Sequence, residues 1–100
     1  MTAYCAAFMK FNNVNDMGFM NEYGPKAAAL VKKHGGETIV FGRPEVVEGE
    51  MPVNDVLVII KFPSLAAARA YYDDAEYQPL KKMRLAKSQG VAAIVEQMPK

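Results

Sequence analysis

Cysteine is almost missing from this chain. Cys5 is the single thiol in 100 residues, so no internal disulfide can form, and a reducing, cytoplasmic compartment is the expectation. Histidine is equally scarce, with His34 standing alone. One histidine and one cysteine cannot make an ordinary zinc site, and no paired carboxylates stand at ligand spacing, so neither metal nor cofactor is expected. An excess of charge is also lacking: 12 basic residues face 11 acidic ones, for a formal charge of +1. That balance argues against nucleic acid or an anionic membrane as the main partner. The longest strongly apolar run, "VLVII" at 56–60, is far too short to span a bilayer. The opening "MTAYCAAFMKF" lacks a basic segment followed by a long apolar one, so it does not read as a signal peptide.

What is present is the profile of a soluble globular protein, with 51% hydrophobic residues. The length suits one domain over 1–100, with a modest core unless a partner adds to it. Residues 3–11 read as a strand. Asn15 or Asp16 can cap a helix running to about His34, stopped by Gly35 and Gly36 and kinked or restarted near Pro25. "ETIVFG" at 37–42 is a second strand, and 43–54 a long connection that can hold a short irregular strand. "DVLVIIKF" at 55–62 is the clearest strand, β-branched through its middle. Ser64 caps a helix over 65–72, and Asp73 or Asp74 caps a second segment over 75–88, with a kink at Pro79 considered. "GVAAIVEQ" at 90–97 is the last strand.

The order β-α-β-β-α-β gives an α+β, ferredoxin-like fold in which strands flanking each helix are expected to pair in parallel through right-handed crossovers, within an antiparallel four-stranded sheet. Alternation along the strands sets Tyr4, Ala6 and Phe8 against Cys5, Ala7, Met9 and Phe11. It likewise sets Val56, Val58, Ile60 and Phe62 against Leu57 and Ile59, and Val91, Ala93 and Val95 against Ala92 and Ile94. Both sides are apolar, unlike a sheet with one wet face. Two helices cover only one side. A second copy packed face to face is the simplest cover for the other, and a homodimer is expected. The lesser alternative is that the 43–54 connection folds over it.

Three segments, "EYGPKAAALVKKHGGETIVFG", "EVVEGE" and "VIIKFPSLAAARAYYDDAEYQPLKKMRLAKS", resemble the family catalogued as domain of unknown function 1330. Its usual features are a Glu-Tyr helix ending in Gly-Gly, a Leu-Glu-Gly-like turn and a Phe-Pro-Ser run leading to Glu-Tyr-Gln. The resemblance implies a dimeric α/β barrel. Related barrels include cofactor-free monooxygenases, lactone isomerases and haem-binding proteins, so the fold does not choose a chemistry. A tryptophan and an arginine common in the family before the third strand are absent from "EMPVNDV" here.

Candidate site residues follow from helical spacing. Leu65, Ala68 and Tyr72 share one face, and Tyr77, Leu80 and Arg84 another. Tyrosines on these faces can line a cleft between helices and sheet, although plain packing is the commoner role of any single one. A buried Arg84 needs a partner, and Glu48, placed in its turn by the resemblance, is the candidate: an anchor for an anionic or carbonyl-bearing ligand, or a structural ion pair. His34 suits the C-terminal end of its helix better than it suits a general base. Cys5 reads as a buried small hydrophobe. The cations of "KKMRLAK" at 81–87 read as a solvated face. Two functions stay open. One is a small-molecule site, possible substrates of a cofactor-independent enzyme there being small carbonyl or phenolic compounds. The other is a non-catalytic structural or interaction module.

Overall fold

The computed structural model describes residues 1–51 and 55–99. Four strands and three helices follow in the order β1 (Ala3–Phe11), α1 (Met20–Lys33), β2 (Glu37–Gly42), β3 (Val56–Phe62), α2 (Leu65–Asp73), α3 (Tyr77–Lys87) and β4 (Ser88–Glu96). The strands form one sheet ordered β2-β3-β1-β4, with every neighbouring pair antiparallel. Strands joined across a helix run in the same direction but do not pair, which corrects the parallel pairing read from the sequence. β3 lies between β1 and β2, and β1 lies between β3 and β4. The most apolar strands thereby take the centre, where both edges are hydrogen-bonded.

The caps explain the boundaries. Ser64 Oγ accepts from the Ala67 N–H at 3.0 Å and starts α2, a contact worth about 1 kcal/mol at such positions. α1 begins later than Asn15. The Asn13 side chain accepts from the Asn15 N–H, turning this stretch instead of capping it, and helical bonding starts with Phe19. Pro25 sits inside α1 and Pro79 in the first turn of α3, where its missing N–H costs nothing. Gly35, at φ 76°, ends α1 in the left-handed region. The 43–54 connection is described only through Met51. Its described part leaves Val46 and Val47 exposed, and the remainder of that expected segment, including much of "EMPVNDV", lies outside the described residues.

The register fixes the two faces. Ala3, Cys5, Ala7 and Met9 stand opposite Phe62, Ile60, Val58 and Val56 on the side that the helices cover. Leu30, Val31, Ala68, Tyr71, Tyr77 and Leu80 complete this core. Tyr4, Ala6 and Phe8 pair with Lys61, Ile59 and Leu57 on one side and with Val95, Ala93 and Val91 on the other. That outer face is apolar and uncovered in a single chain, where Val91 is 59% exposed and Val95 53%. The chain is a slab with extents of 39 × 36 × 17 Å, its thinnest dimension fitting one sheet and one helical layer.

Candidate functional site

A cavity of about 240 Å³ lies between the helical layer and the inner face of the sheet. β1 contributes Cys5, Ala7 and Met9 to its wall, β3 contributes Val58 and Ile60, and α1 contributes Ala27 and Val31. Small side chains on β1 and α1 create this space. Alanine and glycine leave room between backbones that valine or leucine would fill.

The polar groups come from three helices. Tyr23 of α1 and Tyr77 of α3 bring their hydroxyls to 2.8 Å of each other, their rings meeting edge to face. Tyr71 stacks at a tilt on Tyr77 with centroids 4.8 Å apart, and Tyr72 packs on the same ring at 5.8 Å. Arg84, one and two helical turns beyond Leu80 and Tyr77 on the same face of α3, is only 7% exposed. Its guanidinium sits against the phenols of Tyr77, Tyr23 and Tyr72. Among the described residues no carboxylate lies within ion-pair distance of it.

These environments set the protonation states. Burial pushes the Tyr23 phenol well above the ordinary tyrosine range, and neighbouring Tyr77 adds to the shift. Burial does the same to Tyr71, again reinforced by Tyr77 and Tyr23. Burial also raises the Cys5 thiol, against the pull of the Arg84 charge. For Arg84, burial disfavours the cation, but the phenols around it outweigh that and raise its pKa. At neutral pH Tyr23 and Tyr71 therefore stay phenols, Cys5 stays a thiol and Arg84 stays a cation.

Of the residues picked out by sequence, Tyr72, Tyr77 and Arg84 meet in this wall. Glu48 does not join them. It lies exposed in the connection after β2, so the ion pair expected between Arg84 and Glu48 is not formed. His34 is the C-terminal cap of α1, outside the cavity lining, and its Nε2–H donates to Asp74 Oδ2 at 2.7 Å. Lys33 Nζ donates to the same oxygen at 3.0 Å, and Asp74 Oδ1 accepts from the Glu76 N–H at 2.8 Å. These bonds, His34 foremost, hold the Asp74 carboxyl far below the usual aspartate range. The expected face of Leu65, Ala68 and Tyr72 is rotated: Ala68 and Tyr71 are the buried pair, while Leu65 is exposed. Sequence reading passed over Tyr23 and Tyr71 as site residues. Tyr23 stands in the Glu-Tyr signal of "EYGPK", and Tyr71 is the first of the adjacent pair in "AYY".

Among the described residues, no group of three or more His, Cys, Asp or Glu side chains gathers to hold a metal ion, and no helix is long and apolar enough to cross a membrane.

Solved structures share this fold. A dimeric ferredoxin-like protein of unknown function from Jannaschia sp. CCS1 superimposes with a TM-score of 0.77 at 16% identity, covering 97% of this chain and 100% of that one. A protein of unknown function from Rhodopseudomonas palustris gives 0.75 at 16% identity, over 99% and 84% of the two chains. SnoaB, a cofactor-independent oxygenase from Streptomyces nogalater, gives 0.67 at 10% identity, over 99% and 95%. At such identities the likeness shows the fold alone. No curated protein sequence matches the chain. The family described as domain of unknown function (DUF1330) matches residues 2–98, and the chain belongs to that family.

Proposed function

We propose that this protein binds a small, one-ring organic molecule carrying an anionic or carbonyl oxygen, in the cavity between its helices and sheet. The observation that carries this reading is Arg84: a guanidinium 7% exposed, lining an apolar cavity, with no carboxylate beside it among the described residues. The phenols around it offset its burial without neutralising it, and a ligand oxygen is the anionic partner that this geometry admits. At about 240 Å³ the space falls below the roughly 300–1,000 Å³ of sites for larger ligands, which favours a single ring. Tyr72 and Tyr77 flank Arg84, while Glu48 and His34 stand outside the cavity lining of a single chain.

The molecule works as a cytoplasmic homodimer, with the outer sheet face of one copy against that of its twin. Support comes from the apolar composition of that face and from the dimeric state of the Jannaschia protein. Catalysis without a cofactor, the activity of SnoaB, fits a cavity of this kind, and the substrate class is then a small carbonyl or phenolic compound. Calorimetric titration with a panel of benzoates, phenols and lactones tests the reading. At least one class binds the wild type, and Arg84→Ala loses that affinity while keeping its melting temperature. A panel without binders, or a variant that binds as well as wild type, contradicts it.

A further inference from the structure

The polar end of the cavity supplies donors and nothing to take a proton. Arg84 has five N–H groups and no acceptor. In the Tyr23–Tyr77 pair, 2.8 Å between oxygens, one hydroxyl donates to the other, so the second proton is left to point at a ligand. The groups facing this point are Cys5 from β1, Tyr23 from α1, Tyr71 and Tyr72 from α2, and Tyr77 and Arg84 from α3. Lys81 lies outside them, its Nζ 4.9 Å from the Tyr72 ring centroid. Cys5, Tyr23 and Tyr71 resist ionisation, so none of the three serves as a base at neutral pH. His34 and Asp74 are engaged with each other outside the lining.

A site built this way, with a guanidinium and a phenol hydrogen to offer and no carboxylate beside them among the described residues, rewards negative charge on a ligand oxygen. Building on the small-molecule reading above, we infer that the Tyr23–Tyr77–Arg84 cluster holds a weakly acidic phenol or cyclic enol as its anion. The ligand O–H bond breaks, its proton passes to solvent water, and the electron pair stays on the oxygen beside Arg84. The free phenol hydrogen and the guanidinium then act as fixed donors to that oxygen, as donors do in an oxyanion hole. Carbonyl compounds qualify where they enolise, because the enolate places its charge on the same atom. Tyr23 acts on the ligand either directly or by directing the Tyr77 hydrogen, and it gives the cluster a member that α3 alone cannot supply.

The probe is 4-nitrophenol, whose neutral and ionised forms differ in colour. Titrated with pH in the presence of saturating protein, its bound form ionises at least one pH unit lower than the free form, which corresponds to a tenfold or greater preference for the anion. The neutral isostere 4-nitroanisole binds at least tenfold more weakly. Arg84→Met abolishes the shift, and Tyr23→Phe, which keeps the ring and its packing, reduces it. Circular dichroism verifies that both variants fold. Binding of 4-nitrophenol with an unmoved ionisation, or a shift that survives both substitutions, overturns the inference while leaving the small-molecule site in place. Failure of both probes to bind, with benzoates still held, also overturns it. Failure of every ligand overturns both readings.

Discussion

Single side chains decide whether this cavity is a site or a packing defect, and Arg84 decides most. A buried cation held by phenols and no carboxylate carries both a desolvation cost and the contacts that offset it, and an apolar replacement of similar length removes the two together. Arg84→Met is therefore expected to melt near the wild-type temperature while losing anion affinity by tenfold or more, as when a hydrogen bond to a charged group is removed. Differential scanning calorimetry beside titration measures both halves. Destabilisation by several degrees, with no change in binding, would make the arginine architectural. Gly90 carries a different lesson. A Cβ there would run into the Phe8 carbonyl oxygen, so Gly90→Ala must force β4 away from β1. A loss of about 2–4 kcal/mol is expected from urea denaturation. A neutral result would mean that this strand edge moves freely.

At the scale of elements, α1 and the α2–α3 junction are clasped by one carboxylate. Asp74 receives His34, Lys33 and the Glu76 backbone, and its pKa lies below the unfolded value of 3.8. A carboxylate lowered in the folded state contributes its full stability above the unfolded pKa and loses it as pH falls through the folded one. Asp74→Ala is thus expected to melt below wild type at neutral pH, with the gap closing as pH drops below about 4. Melting curves collected from pH 7 to pH 2 examine this, and a gap that is constant across the range contradicts it. The strands and the Ser64 cap were legible in the sequence because β-branched runs and capping side chains act locally. The Tyr77, Leu80 and Arg84 face was legible for the same reason, since three- and four-residue spacing is a local signal. The Tyr23–Tyr77 contact spans 54 positions, and no local pattern encodes it. Tyr71 and Tyr72 are neighbours about 100° apart on a short helix, and only the docking angle against the sheet selects which is buried. Glu48 and Arg84 were paired on a motif and a need for charge balance, but Glu48 itself stands exposed to solvent.

For the whole molecule, the proposed homodimer would make one chain half of the object. Phe8, Val91, Val95, Leu57 and Ile59 form a continuous apolar surface by register, and a stable interface buries about 1,600 Å² in total. At about 25 cal/mol per Å² of apolar area, covering that face matters greatly to a chain this small. Val91→Lys places a charge from each copy in such an apolar interface. Sedimentation at micromolar concentration is expected to show a dimer for wild type and a monomer for the variant, and a monomeric wild type would refute the pairing.

Everything said of function rests on a cavity lined by a buried cation that has no carboxylate beside it among the described residues. A crystal structure grown with 4-nitrophenolate tests that most directly. The expected result is a ring held between Ala7, Val58 and Tyr71, its oxygen within hydrogen-bond distance of Arg84, in a subunit whose outer sheet face meets its twin. An interior filled by side chains, with Arg84 turned out to solvent or paired with a carboxylate, would contradict the account.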